Sequence, residues 1–246
     1  MRIRAMKGLA LGALVSVVGG CSDSDMGDVR LQLASHASAA SVEDAPGQVV
    51  VTVGEDEIVM DRVGLVLRKV RLDGPETASC PEDAEGDSRC AELRLGPVVF
   101  ELPLDAGAEQ IFTAAVPVGA YTGLKFQLHR PTNANEDADF VAENPDYEDI
   151  SILVAGTYNG GPFEFTSDLT EVEDVDFPET VEVASEEELP VTLLVDVTGW
   201  FLTADGSGLV DPQQANDGAP FESLVEQNIR ASFRAFHDGD GDAAAD

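Results

Sequence analysis

Tyr121-Thr122-Gly123-Leu124-Lys125-Phe126-Gln127-Leu128 is the stretch that decides the fold class. Leu124, Phe126 and Leu128 fall on one side, Lys125 and Gln127 on the other. A period of two marks a strand with one face buried and one face wet. Upstream, short apolar runs at 29–33, 49–53, 57–60, 63–72, 97–102 and 110–116 are separated by turn residues, among them Asp73-Gly74-Pro75. Downstream, 150–158, 163–166, 181–183 and 190–197 repeat the theme, and Phe163/Phe165 and Val181/Val183 alternate with polar or acidic neighbours. Many short strands joined by Gly, Pro and Asp predict a mainly β protein, an antiparallel β-sandwich or barrel-like sheet. One segment departs from that period. Phe221, Leu224, Val225, Ile229, Ser232, Phe233 and Phe236 recur at helical spacing, with Pro220 and Asp217 at the start. They predict one C-terminal amphipathic helix packed on the sheet.

The 246 residues carry 14 Lys+Arg against 47 Asp+Glu, a formal charge of −33. Such a field repels phosphate backbones, which excludes a nucleic-acid partner, and it gives no basic grip on anionic lipid. Metal ions and small basic molecules are what it attracts.

Arg2, Arg4 and Lys7 precede an apolar stretch at 9–18, ending in Val18-Gly19-Gly20-Cys21. About ten apolar residues are too few to cross a hydrocarbon core of about 30 Å but suit a secretory signal. Small residues before a cysteine resemble the cleavage site of bacterial lipoprotein precursors. That resemblance implies a signal peptide at 1–20 and acylation of Cys21. Acyl chains contribute about 0.8 kcal/mol per buried CH₂, so several on one residue anchor stably. Ser22 stands where many lipoproteins carry an inner-membrane retention Asp, so the analogy favours the bacterial outer membrane. Residues 21–28 then form a lipidated tether, 29–237 a single β-rich domain and 238–246 an acidic Asp/Gly tail. Cleavage removes Arg2, Arg4 and Lys7 from the 14 bases, leaving 11 against 47 acids, a net −36. With Cys21 acylated, Cys80 and Cys90 remain as a pair in an oxidising compartment. A bridge between them would close a polar loop and stabilise by about 2–3 kcal/mol.

A second resemblance rests on Val66-Leu67-Arg68-Lys69-Val70-Arg71-Leu72 and on Val116-Pro117-Val118-Gly119-Ala120-Tyr121-Thr122-Gly123-Leu124. Ala155-Gly156-Thr157-Tyr158-Asn159-Gly160, Val195-Asp196-Val197-Thr198-Gly199-Trp200-Phe201 and Asn228-Ile229-Arg230-Ala231-Ser232-Phe233 extend it. Together they resemble an uncharacterised family of bacterial lipoproteins with a β-rich domain of unknown function, which implies the fold and no activity. Tyr121-Thr122-Gly123-Leu124 before a strand is also similar to a copper-associated periplasmic family, which implies metal handling. Those proteins typically carry four cysteines, and this chain offers two after Cys21.

Chemistry-bearing residues are few. No Gly-x-Ser-x-Gly elbow occurs, and His36, His129 and His237 match no zinc spacing. Paired carboxylates of the glycosidase kind do not stand out among 47 acids, and one Trp is thin for a sugar cleft. The expectation is a protein without catalytic residues. The acids say more. Between Pro131 and Ile229 lie 24 acidic residues and no Lys or Arg. Within that span Asn133, Asn135, Asp137 and Asp139 place oxygen side chains at every second residue. Asp238-Gly239-Asp240-Gly241-Asp242 does the same, with Asp246 at the ninth position. Alternating Asp with intervening Gly aims several carboxylates at one Ca²⁺, and the spelling resembles the start of EF-hand-type and thrombospondin-type calcium loops. Ala243 replaces the turn glycine, and the 246 residues hold no twelfth-position Glu, so such a half-site would bind at about millimolar levels. The competing reading is a solvating acidic surface ending in a frayed tail. The composite expectation is a lipid-anchored envelope protein, a binding or structural domain with Ca²⁺ as its candidate ligand and an envelope protein or small molecule as partner. The alternatives are periplasmic copper handling and, behind it, a carboxylate-dependent hydrolase.

Overall fold

The computed structural model describes residues 26–35, 43–45, 47–74, 92–94, 96–105, 107–185 and 187–246. Cys21, Cys80, Cys90 and His36, and with them the lipidation and disulfide expectations, lie outside the described residues. In chain order the strands are β1 (Met26–Ala34), β2 (Glu43–Ala45), β3 (Gln48–Val53), β4 (Asp56–Asp73), β5 (Glu92–Arg94), β6 (Val98–Glu101), β7 (Glu109–Pro117) and β8 (Gly119–Leu128). After helix α1 (Ala138–Glu143) come β9 (Ile152–Tyr158), β10 (Gly161–Ser167), β11 (Glu171–Val183) and β12 (Glu188–Val195). Helix α2 (Glu222–Arg230) and β13 (Phe233–His237) complete the chain. The architecture is mainly β, sandwich-like and not closed into a barrel.

One sheet has four strands in the order β13-β12-β1-β7; the other has nine and is organised around β4. This 18-residue strand joins two runs, 57–60 and 63–72, that look separate in the sequence. Its apolar residues change parity twice: Ile58 and Met60, then Val63, Leu65 and Leu67, then Val70 and Leu72 all enter the main core. Each change coincides with a bulge, between Met60 and Arg62 against β9 and between Arg68 and Arg71 against β8. An extra residue re-aims every side chain after it, so the bulges keep one face on the core along the whole strand.

The middle of β4 is buried on its other face as well. Val66 and Leu153 pack there with Tyr147, flanked by Phe140, Ile150 and Val99. Gly64 makes this possible, because a Cβ at that position would stand 1.8 Å from the Tyr147 hydroxyl. Tyr147 donates to Glu101 Oε1 at 3.0 Å, and Arg62 holds the same carboxylate at 2.7 Å. Burial and Glu101 push the Tyr147 ionisation well above its ordinary range. These three side chains clamp the segment around α1 onto the sheet.

Between the sheets Phe126 of β8 meets Phe233 of β13 edge to face, with ring centroids 5.1 Å apart. β1 and β12 pair in parallel, Val29 opposite Leu189 through Ala34 opposite Leu194. Trp200, fully buried, donates from Nε1 to Ser232 Oγ at 2.9 Å. Asn228 donates to the Trp200 and Leu202 carbonyls at 3.0 Å, tying α2 to the turn after β12.

Two expectations change. The C-terminal helix ends at Arg230, and Phe233 and Phe236 lie on β13, facing opposite sides. Pairing with β12 gives its outer backbone groups partners, a non-local gain that overrides the helical spacing. Pro220 and Asp217 do not cap the helix with a side chain; Glu222 instead accepts from Gly218 N at 2.8 Å. Second, β11 runs ten residues upstream of the expected strand at 181–183. Glu171, Asp174, Asp176, Glu179 and Glu182 face water while Val175, Phe177, Val181 and Val183 enter the core; Glu173, on the core parity, is half-buried and burial pushes its pKa up. A bulge between Asp176 and Val181 accommodates Pro178.

Candidate functional site

Asp238 to Asp246 is folded, not frayed. Ala243 is buried with Ala34, Leu194 and Phe236, covering the outer face of the four-stranded sheet at one end. Ala108 N donates to the Gly241 carbonyl at 3.0 Å, and Asp246 N reaches the His237 carbonyl at 3.3 Å. The glycines let the loop turn: Gly241 sits at φ 74. Ala243 sits at φ 62, the left-handed conformation that the calcium-loop resemblance assigns to a glycine. For an alanine this costs about 1 kcal/mol, which burial of its methyl, about 0.8 kcal/mol, largely offsets.

Asp238 is 0 % exposed. Its Oδ1 accepts from Gly241 N at 2.8 Å, and its Oδ2 accepts from Ala243 N at 3.1 Å and from Thr192 Oγ1 at 3.0 Å. Asp240 accepts from Asp242 N at 3.3 Å and Asp242 from Ala244 N at 2.9 Å. Oxygen atoms of Asp238, Asp240 and Asp242 lie within 4.8 Å of one another, and this is the grouping among the described residues that could hold a metal ion. One buried and two exposed carboxylates make a hard-oxygen, half-open set that suits Ca²⁺, Mg²⁺ or Mn²⁺ better than copper. Asp246 turns elsewhere, accepting from Gly239 N at 2.6 Å and lying 3.2 Å from His237 Nδ1.

The other expected site is not assembled. Asn135–Asp137 form a 3₁₀ turn that continues into α1, and residues two apart on a helix do not share a face. Asn133 and Asp139 are exposed, whereas Asp137 is buried. Both Asp137 oxygens lie 3.0 Å from His129 Nε2, and Oδ2 also accepts from Thr132 N at 3.3 Å. The backbone N–H of His129 donates to the Val66 carbonyl at 2.9 Å. Burial pushes the His129 pKa below 6.5; Asp137 opposes this, and Arg68 adds to it. At 6 % exposure the imidazole is closed to a substrate, so the pair acts as a strut at the end of β8. Nothing in the sequence around His129 signals this burial. The alternation through Leu128 carries no information about what the segment at 130–150 folds over it.

A feature the sequence did not single out lies on the nine-stranded sheet. Arg68, Lys69, Arg71 and Lys125 line one cleft of 160 Å³ together with Gln127, Phe126 and Val172. Four of the 11 bases that remain after residues 1–20, including both lysines, meet there.

No helix among the described residues is long and apolar enough to cross a membrane. No protein-family model, no curated protein and no solved structure matches this chain.

Proposed function

We propose that the protein is a non-enzymatic, lipid-anchored envelope protein of the bacterial outer membrane, whose β-sandwich is a binding domain with a C-terminal Ca²⁺ loop. The observation that carries the metal part is the approach of Asp238, Asp240 and Asp242 to within 4.8 Å in a loop already folded onto the sheet. Three carboxylates so close repel one another, and a divalent cation relieves that repulsion. The anchor rests on the basic start, the short apolar stretch and Val18-Gly19-Gly20-Cys21. Resemblance to the uncharacterised lipoprotein family supports the anchored β-domain and adds no activity. Copper handling is the weaker reading, since the assembled donors are carboxylates.

The test compares melting temperatures in Ca²⁺ and Mg²⁺ at matched, high NaCl, where general screening is already complete. A ligand at ten times its Kd stabilises by about 1.4 kcal/mol, a rise of about 3–5 °C for a domain of this size. Ca²⁺ raises Tm more than Mg²⁺, because Mg²⁺ demands a tighter octahedron and keeps its waters. Asp240→Asn with Asp242→Asn, both exposed, removes the difference between the ions. Equal responses to both ions, unchanged in that variant, would reduce the loop to a solvated turn. For the anchor, Cys21→Ser abolishes labelling by a clickable palmitate analogue and leaves the precursor uncleaved; label uptake equal to wild type would sink that half.

A further inference from the structure

We propose that the outer face of the nine-stranded sheet carries an anion site, the cleft of Arg68, Lys69, Arg71 and Lys125, that takes a compact tetrahedral oxyanion of the phosphate class. Three adjacent strands build it. Arg68 lies opposite Gln127 and Arg71 opposite Lys125 across β4 and β8. Gln127 lies opposite Val172 and Lys125 opposite Asp174 across β8 and β11. Core residues alternate with these positions, so 68, 127 and 172 form one outward row and 71, 125 and 174 the next. Lys69 joins them through the bulge between Arg68 and Arg71, where it sits at φ 54. In a regular strand it would share the parity of Leu65 and Leu67 and point at the core.

Arg71 stands directly opposite Lys125, a like-charge pair with Glu92 opposite Arg71 on one side and Asp174 opposite Lys125 on the other. A chain with 47 acids has no need of that arrangement for solubility. Acids reach these bases from the rim of the cleft, and Glu92 is the residue of β5 that lies opposite Arg71 of β4. Asp174 stands 3.5 Å from Lys125 and Glu136 3.4 Å from Arg68, and both carboxylates are largely exposed. Exposed pairs at such distances contribute little and yield to a stronger anion. Arg68 Nε donates to Gln127 Oε1 at 2.8 Å, which holds the guanidinium down along the strands. Lysines act as point charges and arginines as forks, a mixed set that surrounds a tetrahedral dianion better than a single carboxylate.

Size and field narrow the ligand. A volume of 160 Å³ is well under the roughly 300–1,000 Å³ of drug-sized pockets, so the bound group is small. The net negative surface turns away a polyanion and leaves room for one phosphate. Val172, 46 % exposed, supplies an apolar wall for the carbon side of an ester. The cleft lies on the other sheet from the Asp238 loop, so this proposal stands apart from the calcium reading.

The experiment is calorimetric titration of the full chain with inorganic phosphate at constant ionic strength, with acetate and chloride as controls. Phosphate binds saturably and acetate does not. Lys69→Gln with Lys125→Gln weakens phosphate at least tenfold, Val172→Glu does the same by adding a negative wall, and Arg234→Gln, an exposed base elsewhere, leaves it unchanged. Phosphatidylglycerol vesicles, compared with phosphatidylcholine vesicles, separate the sources: retention lost in the double variant assigns the phosphate to a lipid headgroup, and saturation by the free ion alone assigns it to a soluble phosphate. Phosphate behaving as chloride does, with no vesicle retention, overturns the site. So does a folded double variant that binds phosphate as tightly as wild type.

Discussion

Asn133-x-Asn135-x-Asp137-x-Asp139 and Asp238-x-Asp240-x-Asp242 spell the same alternation and fold in opposite ways. In the first, the spacers are Ala134, Glu136 and Ala138, which favour helix, and Phe140 and Val141 follow with an apolar face to bury. A 3₁₀ turn and α1 result, Asp137 goes inward to His129, and Asn133 and Asp139 stay exposed. In the second, Gly239 and Gly241 are the spacers, and the loop doubles back until three carboxylates converge. Intervening residues, rather than the acids themselves, decide which pattern becomes a cluster.

The largest effect that can break this comparison is at the buried acids. Asp238→Ala leaves buried Ala243 N and part-buried Gly241 N without their acceptor and leaves Thr192 Oγ1 with Gln32 Oε1 at 3.4 Å, and a buried orphan costs about 1–3 kcal/mol. We expect a loss of about 3 kcal/mol by urea unfolding, along with the Ca²⁺ response, whereas exposed Asp139→Ala stays within about 0.5 kcal/mol. Similar small losses at both positions would mean that the loop at 238–246 is not held by Asp238.

A smaller effect sharpens the role of the first segment. The folded-state pKa of His129 lies below 6.5, so below pH 6.5 the unfolded chain binds more protons at this site than the native one. Stability from neutral, buried His129 is present above 6.5 and is lost as pH falls through the lower folded value. His129→Gln costs about 1–2 kcal/mol at pH 7.5 through the lost contact with Asp137. The gap between variant and wild type then narrows on acidification. A gap that widens instead would mean that the imidazole is charged beside Asp137 and that the pair is a buried ion pair.

Much of the sandwich was legible because its signals are local. β1, β3, β6, β7, β8, β9, β10 and β12 each overlap an apolar run bounded by turn residues. Legibility ended where partners far apart in sequence decide. Nothing near Phe233 says that β12 has an open edge, and nothing near Glu171 says that β8 will pair with an acidic strand. Of the candidate site, the Asp238 loop was readable from its glycines. The basic cleft was not, since Arg68 and Lys125 are distant in the chain and become neighbours only through one register of β4 on β8.

The sequence by itself determined the β class, the acidic surface and the turn-rich loop at 238–246, because alternation, net charge and glycine placement act within a few residues. Tertiary structure alone decided the rest. It chose the parity changes along β4, the parallel pairing of β1 with β12, the burial of Asp137 and the meeting of four bases on one face. Each of these depends on which strands pair and in what register, and a single-residue shift in pairing would turn every side chain concerned to the opposite face.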